Sequence, residues 1–190
     1  MVYASWLKSA LASTAVAGLL WAAPGAVAQD FKIPSVEQLA QMSAADKGEL
    51  ERQLTAEAVG WPKVSLNETL VSPDPMEVPH SVRGGTLVGA DALHPASGDA
   101  TVFDLGGENF ALRIADGDIA IGPGLHVYLV NARAPESADH IISVGFLDLG
   151  PLKAHLGSHN YPLPGGVGAY RSVVIYSQPF DVIFAVASIQ

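Results

Sequence analysis

The second half of the sequence, from about Gly84 to the end, alternates short apolar segments with turn residues. Phe110, Leu112 and Ile114 alternate with smaller or charged residues, and this period of two is typical of a half-buried strand. Segments of this kind lie at 86–88, 100–105, 110–114, 125–129, 141–149, 172–177 and 180–189. About seven short strands separated by turns predict a mainly β domain, folded as an antiparallel β-sandwich.

Residues 29–83, ahead of the sandwich, are predicted to form a helical segment followed by a proline-rich linker. Ser43 and Asp46 have the spacing of a helix N-cap, and strong helix formers fill residues 44–59. Pro62 is a stop signal after that helix. Further prolines and weak periodicity then predict an extended linker over 61–83. The fold is therefore expected to be a sandwich with an N-terminal helical extension.

The helix predicted at 44–59 has one narrow apolar stripe. The stripe consists of Leu50, Leu54 and Ala58. On another face, Lys47 and Glu51 have the spacing of an ion pair. An isolated helix of this length is marginal in water. We therefore expect the helix to dock, either on the sandwich or on a protein partner.

Residues 1–28 have the composition of a secretory signal. Lys8 supplies a positive charge, residues 10–23 are apolar, and Ala26-Val27-Ala28 is a small-residue cleavage site. Pro24-Gly25 breaks the apolar stretch and favours cleavage, and an uncleaved anchor is the alternative. We expect an exported protein that is periplasmic, extracellular or attached to the cell envelope. No membrane span is expected after the signal is cleaved.

The chain contains no cysteine and is acidic, with a formal net charge of −9 at pH 7. Without cysteine there are no disulfides, no thiolate metal ligands and no thiol catalysis. Negative charge repels phosphate backbones, and the sequence has no basic cluster, so nucleic-acid binding is excluded. Packing of the core alone must hold the domain together.

Four motifs occur in order in the C-terminal part of the chain. They are GPGL at 122–125, LGPLK at 149–153, NYPLP at 160–164 and YRSVVIYSQPFDVIF at 170–184. Together they resemble the DM-thirteen domain family over about residues 84–190. The resemblance implies a small extracytoplasmic β-sandwich, with electron transfer through a single cysteine as the family's expected activity.

This chain departs from that family at two positions. The resemblance places the family's cysteine at Ser177, directly after Tyr176, and a usual acidic residue at Gly124. A serine hydroxyl does not cycle through thiolate, sulfenate or disulfide states, although it still forms hydrogen bonds. The departure at Ser177 therefore argues against thiol redox chemistry and leaves the fold intact.

The candidate site positions are Ser177, Tyr176, Gly124, His94 and Tyr161. Function on sandwich folds concentrates in strand-end loops, so a ligand surface is expected around His94, 122–125 and 157–168. No catalytic residue is assigned, because Ser177 is predicted within a strand and the sequence has no G-x-S-x-G elbow.

His155 and His159 are four residues apart, and on a helix this spacing places two metal ligands on one face. Gly157 lies between them and Pro162 follows, which predicts a turn instead. The pair is interpreted as two exposed loop histidines, with a metal site as the alternative. Neither a metal nor a cofactor site is predicted.

The sequence favours an exported, non-enzymatic β-sandwich that acts as a binding or interaction module. A protein partner is a candidate at helix 44–59. The alternative is an electron-transfer domain that holds a haem, a flavin or a metal in place of a thiol. A stoichiometric chromophore would distinguish the second function from the first.

Overall fold

The structure, a computed structural model, describes residues 31–165 and 168–190. It is mainly β, with 41% of residues in strands and 18% in helices, as the strand pattern predicts. The helices are α1 (Val36–Gln41), α2 (Ala44–Ala58) and α3 (Ala138–Val144). The strands are β1 (Ser65–Asn67), β2 (His80–Thr86), β3 (Val88–Gly89), β4 (Ala96–Asp104), β5 (Phe110–Ile119), β6 (Leu125–Val130), β7 (Phe146–Pro151), β8 (Leu156–Leu163), β9 (Ser172–Ser177) and β10 (Val182–Ser188). In the two described ranges, no helix is long and apolar enough to cross a bilayer.

Two five-stranded sheets form the sandwich. The strand order is β1-β8-β5-β4-β2 in the first sheet and β3-β10-β9-β6-β7 in the second. Paired strands are antiparallel except β1, which runs parallel to β8. The main core contains Val102, Leu112, Val127, Ile175 and Phe184, each at most 1% exposed. Burial of each such side chain contributes about 1.5–3 kcal/mol, so these residues supply much of the stabilising free energy.

Helix α2 begins where the sequence predicts it. The Ser43 hydroxyl accepts a hydrogen bond from the Asp46 N–H at 3.1 Å, which satisfies one of the free donors at the helix start. Leu54 of α2, Leu39 of α1 and Phe180 form a separate apolar cluster. This cluster joins the helical extension to the sandwich.

The second attachment of α2 is polar. The predicted ion pair between Lys47 and Glu51 does not form. Lys47 Nζ lies 3.2 Å from Asp181 Oδ2 on the sandwich, and Glu51 is 1% exposed and contacts His94. Glu51 belongs to the buried face of α2, where the sequence predicts only apolar residues.

The stretch 141–149 does not form the single strand that its apolar residues predict. The Ser137 hydroxyl accepts a hydrogen bond from the His140 N–H at 3.2 Å and caps α3. Gly145, with φ of 88°, ends that helix, and β7 begins at the next residue, Phe146. Gly145 adopts this left-handed φ at little cost, and it permits the change from helix to strand within an apolar run.

The segment 61–83, predicted as an extended linker, contains strand β1 and the start of β2. The segment after His155, predicted as a turn, forms strand β8 instead. Side chains of β1 and β2 are mostly exposed and lack a clear alternation, so the apolar pattern does not reveal them. Pro162 is compatible with β8 because β1 pairs only with residues 156–158. The outer edge of β8 is unpaired at Pro162, and its missing N–H costs no ladder bond there.

Candidate functional site

Ser177 ends strand β9 at a sealed turn. Its side chain is fully buried, and its hydroxyl donates a hydrogen bond to the Pro123 carbonyl oxygen at 2.7 Å. Across the β6–β9 ladder it lies opposite Leu125. The position at which the family resemblance expects a cysteine therefore has no access to solvent in this chain. A group at this position stabilises the turn and does not meet a diffusing ligand.

Gly124 belongs to the same turn, and its carbonyl oxygen accepts a hydrogen bond from the Gln178 N–H at 3.1 Å. The Gly124 φ is 57°, and an added Cβ would lie 2.6 Å from the Pro179 ring. A larger residue would meet both backbone strain and a clash. An acidic side chain at this position therefore has no room unless the turn moves.

Tyr176 is part of a stack of three aromatic rings on the outer face of the second sheet. We call Phe146, Tyr128 and Tyr176 the aromatic row. The Tyr128 ring centroid lies 4.6 Å from that of Phe146 and 5.0 Å from that of Tyr176. Such stacks contribute about 0.5–1.5 kcal/mol each beyond the area they bury. Both tyrosines are buried and Phe146 is 41% exposed. The row therefore extends from the buried Tyr176 to the solvent-exposed Phe146.

The hydroxyl groups of the two tyrosines have different partners. Tyr176 donates a hydrogen bond to Asp181 Oδ1 at 3.2 Å, and Tyr128 accepts one from Gln178 Nε2 at 3.2 Å. Burial raises the pKa of the Tyr176 phenol, and the nearby Asp181 carboxylate raises that pKa further. Burial also raises the pKa of Tyr128, against the hydrogen bond from Gln178. Both phenols are therefore neutral at pH 7.

Beside Asp181, an open groove of about 810 Å³ separates the helical extension from α3. Its floor is the outer side of β10, with Ile183 and Val186. One wall contains Lys47 from α2, and the other contains Ile142 from α3. Ile142 is 66% exposed, so an apolar wall faces open space.

His94 does not face the groove but lies beneath α2. Its ring Nε2 is 3.2 Å from Glu51 Oε1, and that carboxylate also accepts a hydrogen bond from the Thr55 hydroxyl at 2.6 Å. Its Nδ1 is 2.9 Å from Asp91 Oδ1, too oblique for a good hydrogen bond but close enough for an ion pair. Burial disfavours the charged ring, but Glu51 and Asp91 together raise the pKa of His94. His94 therefore forms a buried polar link between the helix and the sandwich.

The prediction that His155 and His159 are exposed loop histidines is wrong. Both are 0% exposed, and His159 lies on β8. Burial lowers the pKa of His155 to about 4, and the charge of Lys63 acts in the same direction. Burial also lowers the pKa of His159, whose Nε2 lies 3.0 Å from the Ala154 carbonyl oxygen. The two imidazoles are neutral side chains of the core at pH 7.

Tyr161, the remaining candidate, lies on β8 with only 2% exposure. Its hydroxyl accepts a hydrogen bond from the Lys153 backbone N–H at 2.9 Å. The Lys153 ammonium lies 5.3 Å from the centre of the Tyr161 ring, a cation–π contact. Burial raises the pKa of this phenol as well. Tyr161 is thus a packed, neutral residue of the first sheet.

The five candidate positions do not converge on one surface. Ser177 and Gly124 share a buried turn, His94 lies under α2, and Tyr176 and Tyr161 lie on different sheets. None of the five is among the described residues that line the groove. Over residues 31–165 and 168–190, no group of three or more histidine, aspartate and glutamate side chains could hold a metal ion.

The groove depends on helix α3, which the sequence interpretation missed. The local signals for α3 were present: Ser137 has the residue type of an N-cap, and Gly145 that of a helix end. The long apolar run between them fits a strand equally well, so periodicity alone did not separate the two.

A model of the family described as Electron transfer DM13 matches residues 88–189. Among curated proteins and among solved structures, no significant match is found. The matched range begins with β3 and ends just after β10. Helix α2, which supplies one wall of the groove, lies outside it. The groove therefore combines the family domain with the extension that precedes it.

Proposed function

The chain belongs to the Electron transfer DM13 family, and from this premise we propose that it is an exported, non-enzymatic member that works by binding. Its groove holds an organic molecule with an apolar body and a cationic group. The observation that carries the proposal is the groove itself, which has an apolar floor and three carboxylates, Glu136, Asp139 and Asp181, in its lining. Export is supported by the signal-like composition of residues 1–28.

The size and lining of the groove support a small organic ligand. Its volume of about 810 Å³ falls within the range of small-molecule sites, about 300–1,000 Å³. Ile183 and Val186 of the floor also pack against the cluster that contains the tyrosines of the aromatic row. The floor is therefore flanked by this cluster, and a bound apolar group would meet a fixed surface.

The charges around the groove favour a cation. Glu136, Asp139 and Asp181 line it, and Lys47 is the opposing charge. Lys47 is already paired with Asp181 at 3.2 Å. The charges of Glu136 and Asp139, beside the apolar wall, are not balanced by Lys47. The chain as a whole carries a net charge of −9. Anionic ligands meet repulsion both locally and at a distance.

Fluorescence titration with two dyes of similar aromatic bodies and opposite charge tests the proposal. The cationic dye rhodamine 6G is expected to bind, and the anionic dye sulforhodamine B is not. Glu136→Gln should weaken rhodamine 6G binding by about fivefold, since one exposed carboxylate at close range is worth about 1 kcal/mol. Ile142→Ser should weaken it by removing exposed apolar wall.

Each variant has a matched control outside the groove. Glu57→Gln makes the same charge change on the exposed side of α2, and Val59→Ser removes an apolar side chain that is 76% exposed. Both controls should leave the dissociation constant unchanged. Equal binding of the two dyes, or equal effects of Glu136→Gln and Glu57→Gln, would contradict the proposed function.

A further inference from the structure

We propose that Tyr176 and Asp181 form a one-electron redox site, which Tyr128 and Phe146 connect to the protein surface. The chain has no cysteine, so a thiol does not supply this chemistry. A phenol that donates a hydrogen bond to a carboxylate is the alternative that the structure provides, at 3.2 Å between the Tyr176 hydroxyl and Asp181 Oδ1.

The step is balanced between the phenol, the carboxylate and an external metal centre. Tyr176 loses one electron to a high-potential metal centre of a redox partner. The phenol O–H bond breaks, and the proton passes to Asp181 Oδ1, where a new O–H bond forms. The products are a neutral tyrosyl radical, a protonated Asp181 and a metal centre reduced by one electron. The return of an electron from a reduced metal centre, and of the proton from Asp181, restores the starting state.

Burial makes the carboxylate necessary for this step. Tyr176 is 5% exposed, and burial raises the pKa of its phenol, so the phenolate is not formed before oxidation. Water has little access to the hydroxyl, and a proton released on oxidation needs an acceptor within hydrogen-bond distance. Asp181 is that acceptor. Its side chain is 52% exposed, so it can exchange the proton with solvent.

The aromatic row provides the route for the electron. The ring centroids of Tyr176 and Tyr128 are 5.0 Å apart, and those of Tyr128 and Phe146 are 4.6 Å apart. Phe146 is 41% exposed and lies on the edge strand β7, where a partner can contact it. The row lies beside the groove floor on the same face of the sheet, and the redox step needs no ligand in the groove.

Tyr161 shows what distinguishes Tyr176 from another buried tyrosine of the same chain. The Tyr161 hydroxyl accepts from the Lys153 N–H and lies 3.5 Å from the Pro151 carbonyl oxygen. A carbonyl is a far weaker proton acceptor than a carboxylate. The Lys153 ammonium, 5.3 Å from the ring centre, also opposes loss of an electron from that ring. Tyr161 is therefore an internal control for burial without a carboxylate.

The test is oxidation of the purified protein by photogenerated tris(bipyridine)ruthenium(III), followed by electron paramagnetic resonance and transient absorption. The wild type should yield a neutral tyrosyl radical, and its formation should slow in deuterium oxide because a proton moves with the electron. Asp181→Asn should slow radical formation by at least about a hundredfold, the lower end of the usual effect of a positioned base. Asp99→Asn makes the same substitution at an exposed carboxylate on β4 of the first sheet, and it should oxidise at the wild-type rate.

Two tyrosine variants assign the radical. Tyr176→Phe should abolish the signal, and Tyr161→Phe should retain it. Circular dichroism of each variant checks that the fold is intact, and Asp181→Asn keeps the test decisive if Tyr176→Phe does not fold. The proposal is overturned if the radical persists in Tyr176→Phe, or if Asp181→Asn and Asp99→Asn oxidise at the same rate. Dye binding is measured separately, so failure of the redox site leaves the binding proposal standing.

Discussion

Between neutral and mildly acidic pH the free energy of unfolding of the protein should fall. Replacement of His155 by leucine should remove most of that fall. His155 is fully buried, and neither ring nitrogen has a hydrogen-bond partner among the described residues. Its backbone is well held, since its N–H donates to the Val64 carbonyl oxygen at 3.0 Å. Leucine has a similar volume and no polar atoms, so the substitution removes the titrating ring with little change in packing.

The magnitude follows from the pKa of His155 in the two states. Burial lowers that pKa from 6.5 to about 4, a difference of about 2.5, and each pKa unit corresponds to about 1.4 kcal/mol. Between these two pKa values His155 is protonated in the unfolded chain and neutral in the folded chain, so the free energy of unfolding falls as pH falls. The loss should approach about 3 kcal/mol near pH 4 and level off below it. At neutral pH the variant should already be more stable by about 1 kcal/mol, because two buried polar atoms without partners are removed.

Other histidines also contribute to the pH dependence, so the informative quantity is the difference between wild type and variant. The pKa of His159 is lowered, which acts in the same direction as His155. The pKa of His94 is raised, so its contribution is present below pH 6.5 and is lost as pH rises through its folded pKa. The contribution of His94 is common to wild type and His155→Leu and cancels in the difference. The charges of His155 and His159 interact, so a small part of the His159 contribution remains in the difference.

Urea unfolding at a series of pH values between about 7.5 and about 4 measures the free energy of unfolding of each protein. The gap between His155→Leu and wild type should widen by about 3 kcal/mol over this range. His140→Gln, a change to a histidine of α3, is the control and should follow the wild type. A gap that stays constant with pH would show that burial does not keep His155 neutral.

Three further predictions follow from single contacts. Glu51→Ala should cost about 1–3 kcal/mol by leaving the buried Nε2 of His94 without its partner on α2, and limited proteolysis should then release α2 more readily. Ser177→Cys should give a thiol that reacts with an aromatic disulfide reagent only as fast as the protein opens, whereas a fast reaction in the folded state would contradict the sealed turn. Gly124→Ala should lower the free energy of unfolding by about 1–2 kcal/mol through its left-handed φ, with more from contact with Pro179. Thermal unfolding measures this loss, and an unchanged melting temperature would disprove it.

The candidate site was less predictable from the sequence than the fold. Tyr176 was singled out through the family resemblance, but its hydrogen bond to Asp181 and its stacking on Tyr128 depend on neighbours from a turn and another strand. Glu51 looked like a surface partner of Lys47, because the two have ideal spacing on one helix. Docking of α2 instead turned Glu51 towards His94, and no local pattern encodes that rotation.

The local structures that have strong, short-range causes could be predicted from the sequence. Alternating apolar residues specified the β5 and β6 strands, the Ser43 cap specified the start of α2, and the order of turn motifs specified the family. The tertiary structure determines which polar groups are buried, since the residues next to His155 and Ser177 in the sequence do not indicate that these two side chains are buried. It also decided the groove, which exists only because α2, α3 and β10 meet. Local sequence fixes backbone preference over a few residues, whereas burial and recognition arise from contacts between distant segments.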